Sequence, residues 1–472
     1  MINRKALGYL REWKDRATRK PLVVRGARQV GKTSLVVDLF GASEFESVVK
    51  IDFEEMEGAG DYFRSKDPDK IVPLLEAATG QRIIDGRTLL FLDEIQAQPQ
   101  VLATLRYFYE KRPSLHVIAA GSLLEFALEK FEYSMPVGRI EYLFLEPLSF
   151  AEFLPAVGGA GLADWISAYA PGDEVPDAIH RECMEKVLLY WMVGGLPEAV
   201  KVFAETNSFL EVERVQETLI GTYIEDFAKY RRKVPQEMLE AVFRSLPQQM
   251  GKKFSYVAVS REVRSRELGV AVDLLDKAMV LTRVNRSRAE GVPIGAGEDR
   301  RNFKAYTLDI GLCARQLGLS IASIRLPLAP HDIAERGGFC EQFVAENLKC
   351  AQAEYSEHTL HHWVREKHGS DAEIDFLVQV GSAVVPVEVK AGATGTMKSL
   401  HQFLLEKNRS FGVRINGDKP SYLETTIVGG NGRAHPFKLL SLPFYMIGEL
   451  HRLAEAALDG KFAPFKPYGP NS

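Results

Sequence analysis

The sequence predicts an α/β protein of several domains, with a doubly wound, mostly parallel sheet first, a helical middle and a second α/β domain at the carboxyl-terminal end. Three observations predict it. Short apolar runs alternate with helix-like stretches through the first 150 residues. A stretch rich in Gly, Pro and Ala (155–177) then breaks the pattern. Past residue 370, two apolar-rich runs flank Gly381-Ser382, a dipeptide suited to a two-residue hairpin turn. At 472 residues the chain exceeds one core, because compact domains usually run to about 100–200 residues.

Composition narrows the class. With 46% hydrophobic and 26% charged residues and no low-complexity tract, the chain reads as globular and soluble. The opening "MINRKALGYLREWKDRATRK" is amphipathic and charged, unlike a signal peptide, and no apolar run reaches the roughly 18 residues a membrane span needs. Cys183, Cys313, Cys340 and Cys350 show no CxxC spacing, so reduced thiols in a cytoplasmic protein are expected, with no membrane partner. The net charge of −4 gives no overall basic balance, so any contact with nucleic acid must come from a local patch.

The first element, "KPLVVRG", reads as a strand, and "KTSLVVDLF" reads as a helix. Between them lies a glycine loop, Gly26, Ala27, Arg28, Gln29, Val30, Gly31, Lys32, Thr33 and Ser34, that fits GxxxxGK[ST]. The glycines let backbone N–H groups wrap phosphates, Lys32 reaches the β/γ-phosphates, and Thr33 ligates Mg²⁺. ATP and Mg²⁺ are therefore the expected cofactors. "RTLLFLDEIQ" reads as a buried parallel strand with acids at its carboxyl end. Asp93 is placed to hold the magnesium ion and Glu94 to polarise the attacking water; two solvated acids are the plainer reading.

Further strands are expected at 48–53, 115–122 and 139–150. Ser122, past the fourth strand, is placed to sense the γ-phosphate or simply to complete a Gly-Ser turn. Arg139 is a candidate transition-state cation, supplied within the chain or from a neighbouring subunit, against a plain surface ion pair.

"GARQVGKTSL", "LLFLDEIQ", "AAGSLLEF", "VGRIEYLFLEPLSFAEFL" and "YWMVGGLPEAV" together resemble the bacterial and archaeal AAA-type ATPases that carry an uncharacterised carboxyl-terminal domain. The resemblance continues through "FKAYTLDIGL", "GGFCEQFVAENL" and "AEIDFLVQV" to "VPVEVKAG". It implies an AAA+ P-loop NTPase core (1–155), a linker and helical lid (156–233), a winged-helix-like segment (234–300) and a PD-(D/E)xK nuclease-like α/β domain (301–472). It also implies a homo-oligomer, ring or dimer, because AAA-type sites often form between subunits.

In the middle, 155–177 reads as an irregular linker and 180–230 as helical, with "GGLP" (194–197) a hinge or a helix cap and turn. Residues 235–290 read as three helices and a short strand, the order of a winged helix-turn-helix. Arg264 and Arg266 sit where a reading helix begins, offset by Glu267, Asp273 and Asp276, so DNA contact and protein docking both stay open. In "HTLHHW", strand alternation sends His361 and His362 to opposite faces, which disfavours a metal.

In the hairpin, a Gly381-Ser382 turn sets Asp375 opposite Glu388 and Glu373 opposite Lys390, all on one face. The flanking pair Val380/Ala383 is then hydrogen-bonded, and alternation puts Pro386 at a non-hydrogen-bonded position, where its missing N–H breaks no bond. Asp375 and Glu388 repel unless something cationic joins them. A second divalent cation, Mg²⁺ or Mn²⁺, is the economical answer. Asp375 with Glu388-Val389-Lys390 matches the D…ExK arrangement of the PD-(D/E)xK fold, and Glu341 matches its upstream acid. Asp375, Glu388 and the carbonyl of Val389 would hold the ion, and Lys390 would orient the attacking water or offset charge on the phosphate. An exposed hairpin laced by Glu373 and Lys390, and a nuclease-like fold that has lost cleavage, are the alternatives. The whole reads as an ATPase acting on DNA or another nucleic acid, or else an ATP-gated switch that binds a protein and cuts nothing.

Overall fold

Each apolar run of the first third is a strand of one sheet in the computed structural model, which describes residues 2–121, 138–230, 234–319, 333–365, 372–391, 397–429 and 432–462. The strands are β1 (Leu22–Arg25), β2 (Ser47–Asp52), β3 (Thr88–Asp93), β4 (His116–Gly121) and β5 (Glu141–Phe144). They lie in the order β2-β3-β4-β1-β5, and every pairing is parallel. β3 and β4 are buried at every position, which is why neither run alternates. Leu22, Val24, Leu89 and Phe91 enter one core and Val23, Leu90 and Leu92 another, so both faces of the sheet are covered. All five carboxyl ends point to one edge, where ligands of such sheets bind.

The stretch read as an irregular linker is in part helical. Phe150–Ala156 and Ala160–Ala168 are helices, the first opened by a capping box between Ser149 and Glu152. The breakers that suggested a loop fall at their ends, with Pro155 in the last turn and Gly158 (φ +80°) and Gly159 between them. Burial of Phe153, Leu154, Leu162 and Ile166 outweighs local propensity there.

Helices Asp177–Val193, Pro197–Thr206 and Phe209–Asp226 follow. "GGLP" is a cap and turn: the Gly194 N–H donates to the Tyr190 carbonyl at 2.7 Å, and Pro197 opens the next helix. The turn is clamped from outside, because the Gly195 N–H donates to Asp309 Oδ2 at 2.6 Å.

Helices Gln236–Gln249, Tyr256–Val259 and Ser265–Lys277 lead into β6 (Leu281–Arg286) and β7 (Asp299–Thr307), which pair antiparallel. These two strands form one end of an eight-stranded sheet. The others are β8 (Leu360–Val364), β9 (Glu373–Val380), β10 (Ala383–Val389), β11 (Phe411–Asn416), β12 (Ser421–Val428) and β13 (Ala434–Pro443). The order is β12-β13-β11-β10-β9-β8-β6-β7, so a division at residue 300 falls inside a strand of this sheet. The hairpin β9–β10 has the register read from its turn, with Val380 opposite Ala383 and Leu377 opposite Pro386. Helix Ile333–Cys350 packs against β7, β8 and β10. Phe150, Phe153, Tyr190 and Trp191 share a single core with Phe343, Val387 and Val413, which joins the middle helices to this sheet. No helix among the described residues is long and apolar enough to cross a membrane.

A methyl group added at Gly195 would lie 2.2 Å from the Leu148 carbonyl oxygen, which is backbone and cannot step aside. Gly195→Ala is therefore expected to destabilise by about 1–3 kcal/mol, read as a lower urea midpoint. Gly161→Ala, in a helix with open space around it, is expected to leave the midpoint unchanged or raise it.

Candidate functional site

β1 delivers the chain to the sheet's carboxyl edge at Arg25, and the loop turns there through two left-handed residues, Gln29 (φ 63°) and Gly31 (φ 88°). A Cβ at Gly26 would stand 2.4 Å from the Leu145 carbonyl oxygen, so only glycine lets the loop lie on the segment after β5. Ala27 and Val30 are buried, anchoring the loop from below, while Gln29 and Ser34 are exposed. The helix then runs through Lys32–Ser34, a π-helical stretch Leu35–Gly41 and Ala42–Glu44.

Lys32 is buried under its own loop, its Nζ donating to the carbonyl oxygens of Gly26 (3.1 Å) and Ala27 (2.8 Å). Burial pulls its pKa down to about 8, against the opposing pull of Glu94 and Asp93. Thr33 Oγ1 donates to Asp93 Oδ2 at 2.8 Å, bringing the hydroxyl and the buried acid at the end of β3 into one contact. Glu94 is held in the left-handed region (φ 49°), a conformation a non-glycine residue adopts at a cost, and its carboxylate is bound by the side-chain amide of Gln96.

Three residues that the sequence did not single out complete this edge. Lys50 on β2 pairs with Asp52 (2.9 Å) and Asp93 (3.4 Å), supplying a cation beside the acid. Arg4 donates to the carbonyl oxygens of Val30 (2.9 Å) and Glu146 (2.6 Å) and pairs with Glu152 (3.2 Å). Tyr223 reaches back from helix Phe209–Asp226 to the Arg28 carbonyl (2.6 Å), and Arg28 pairs with Asp226 on that helix (2.8 Å) and with Glu54 (3.2 Å). Isolated charges carry no periodicity or motif that separates them from solvated ones. A cleft of about 700 Å³, large enough for a nucleotide, opens beside the loop among Arg4, Gln29, Gly31, Ser34, Asp38 and Lys201.

The structure thus gathers Gly26 to Ser34, Asp93 and Glu94. Arg139 stands apart. It precedes β5, whose first residue pairs with Leu22 at the amino end of β1, so the four-residue strand separates it from the loop by about 13 Å. Its Nε pairs with Glu110 (3.1 Å) and its guanidinium lies over the Tyr109 ring, away from its own chain's loop. Ser122 lies outside the described residues.

The second predicted cluster assembles on β9, β10 and helix Ile333–Cys350. Asp375 and Glu388 approach as the register requires, and Asp375 Oδ2 accepts the Val389 N–H at 2.9 Å. The cation among the acids is Lys304 of β7, only 1% exposed. Its Nζ lies 2.9 Å from Glu341 Oε2, 3.2 Å from Asp375 Oδ1 and 2.5 Å from Glu373 Oε1. Tyr306 also donates to Glu341 Oε2, at 2.7 Å. Lys390 bonds Glu388 Oε1 at 2.5 Å, not Glu373. Burial, and next the Asp375 charge, push Glu341 and Glu388 well above the usual carboxylate range. For Lys304 the carboxylates, Glu341 foremost, outweigh burial and hold its pKa well up. Among the described residues no group of three or more His, Cys, Asp or Glu side chains is disposed to hold a metal ion. The expectation of a second divalent cation on Asp375 and Glu388 finds no support: Lys304 meets Asp375, and Lys390 meets Glu388. His361 meets Glu298 (3.0 Å) and His362 lies near Glu373, as alternation requires.

Residues 18–154 match the family described as AAA domain, and with the parallel sheet the first third is a P-loop NTPase core resembling those of AAA-type ATPases. Residues 184–323 and 336–426 match two families described as domains of unknown function, DUF8612 and DUF4143. Among curated proteins none matches the chain. Similar solved structures include a Walker-type ATPase of Pyrococcus abyssi (15% identity, 67% of this chain and 96% of that one, TM-score 0.42). Two others are the Aeropyrum pernix ORC1 protein in complex with DNA (14%, 69% and 95%, TM-score 0.28) and the Thermotoga maritima RuvB Holliday junction branch migration motor (14%, 60% and 90%, TM-score 0.29).

Lys32→Ala is expected to weaken ATP binding about ten- to a hundredfold, the worth of a charge-assisted contact. Because the free lysine titrates near 8, wild-type affinity is expected to fall as pH rises past about 8, and the variant's affinity to stay flat there. Calorimetric titration from pH 7 to 9.5 measures both; a flat wild-type profile contradicts this assignment.

Proposed function

We propose that the chain is a Mg²⁺-dependent ATPase that couples ATP turnover to work on DNA. The hydrogen bond from Thr33 to Asp93, beside a lysine buried under the phosphate loop, carries the ATPase part. A hydroxyl and a carboxylate in contact fit a magnesium ion as donor set, and Thr33 and Asp93 would hold it. When bound, Mg²⁺ supplies charge neutralisation on the β/γ-phosphates. Lys32 turns from the Gly26 and Ala27 carbonyls to the phosphates, and Glu94, released by Gln96, orients the attacking water. Glu94→Gln is expected to bind ATP and hydrolyse it slowly.

Arg139, out of reach of its own loop and 45% exposed at its side chain, is available to the nucleotide of a neighbouring copy in a ring or dimer. Mixing Arg139→Ala with Lys32→Ala protein is expected to restore part of the activity; none recovered in a demonstrably mixed oligomer removes this role.

The DNA part rests on helix order and charge. Three helices precede the antiparallel pair β6/β7, and Arg261, Arg264 and Arg266 are exposed at the start of helix Ser265–Lys277, with Lys252 and Lys253 exposed nearby. Phosphate contacts release counterions, so DNA affinity is expected to fall steeply with salt. Arg264→Ala with Arg266→Ala is expected to reduce the log–log slope by about 2. The second reading, an ATP-gated switch that docks a protein, is favoured by Glu262 and Glu267 interleaved with those arginines. DNA binding that is absent or indifferent to salt selects it.

A further inference from the structure

We infer that Lys304 is a built-in cation standing where the D…ExK arrangement would put a divalent ion, so that the carboxyl-terminal centre takes up no metal and breaks no phosphodiester bond. An ammonium has three N–H donors, and Lys304 faces three carboxylates, those of Glu341, Glu373 and Asp375. The oxygens on Glu341 and Asp375 nearest Lys304 are among those an ion bound there would take. The other Asp375 oxygen accepts the Val389 N–H, and Glu388 Oε1 is engaged by Lys390. Glu388 Oε2 is buried without a hydrogen-bond partner, but a divalent ion on it asks for about six oxygens at roughly 2.0–2.6 Å, and the Asp375 oxygens and Glu341 Oε2 that would join it are already engaged.

Displacement of the lysine is blocked by its setting. Lys304 is an interior residue of β7, opposite Val284 of β6 and bridged on its other side to Lys253. At 1% exposure its ammonium has no solvent to retreat to, and a divalent ion entering among the same oxygens would stand next to a like charge in a region of low dielectric. The helix bearing Glu341 and the strand bearing Glu373 and Asp375 are thereby tied to β7 by charge as well as by the Tyr306 hydrogen bond to Glu341 and by shared apolar packing. This holds whether or not residues 234–300 bind DNA, and a grip on nucleic acid at this domain would be without cleavage.

The test counts Mn²⁺ bound to the full-length Asp93→Asn protein without nucleotide, by electron paramagnetic resonance of the free ion, the substitution removing the metal of the ATP site. No site tighter than about 1 mM is expected. Lys304→Met on the same background, near in size and uncharged, is expected to gain one Mn²⁺ site that a further Asp375→Asn removes. Binding of Mn²⁺ by the Lys304-intact protein that Asp375→Asn abolishes overturns the inference, as does Mn²⁺-dependent cleavage of plasmid DNA by the otherwise wild-type protein that Asp375→Asn or Lys390→Ala abolishes. A folded Lys304→Met protein that gains no site also counts against it, since the lysine would then not be what excludes the ion. If Lys304→Met does not fold, the measurements on the Lys304-intact protein decide alone. ATP hydrolysis by the otherwise wild-type protein proceeds in every case, which separates failure here from failure of the ATPase reading.

Discussion

A charge taken out of water must meet its opposite or give up its proton, and that requirement at Lys304 fixes the arrangement of the carboxyl-terminal half. One ammonium on β7 holds acids from helix Ile333–Cys350 and from β9, strands that the sheet itself separates by β6 and β8. The same rule works differently at Lys32. There the partners are backbone carbonyl oxygens, which carry only partial charge, so burial prevails and the pKa falls; at Lys304 they are carboxylates, and it rises. A lysine held weakly is ready to exchange carbonyl oxygens for phosphates. A lysine held by three acids stays where it is.

What the sequence disclosed follows from how local each signal is. The phosphate loop lies within ten residues between a strand and a helix, and a two-residue turn propagates its register along the whole hairpin, so the approach of Asp375 to Glu388 was legible from Gly381-Ser382. Lys304 lies 71 residues before Asp375, in a run whose apolar neighbours explain it equally well as a strand, and nothing local gives a lone lysine its partners. The helix at Ala160–Ala168 was hidden for a related reason. Its stability comes from a core shared with residues as distant in sequence as Tyr445, while its own composition argues for a loop. Arg139 was legible as a residue but not as a location, because which edge of a parallel sheet a loop occupies depends on strand direction across the sheet.

The two halves meet through buried polar contacts as well as apolar ones. Glu146, just past β5, is fully enclosed and pairs with Lys349 (3.1 Å) and His358 (3.0 Å), while its carbonyl accepts from Arg4, the residue that also holds the phosphate loop at Val30. Asp309 caps helix Ile310–Gln316 through the Leu312 N–H and closes the Gly194-Gly195 turn in the same contact. Burial lifts its pKa to about 6, and four backbone N–H groups keep it from going higher.

The core that runs from Phe150 and Trp191 into Phe343 and Val387 has a mechanical consequence. The helices between 150 and 206 belong to the same solid body as the eight-stranded sheet, and the clamped glycine turn gives them no slack. Helix Phe209–Asp226, which grips Arg28 at its far end, is one of several ties between that body and the nucleotide-bearing half, beside the Glu146 pairs and a core in which Leu22 and Phe91 pack with Phe243 and Phe303. A small displacement at the phosphate loop would therefore be shared with the eight-stranded sheet through several contacts at once, and not swung about a single hinge.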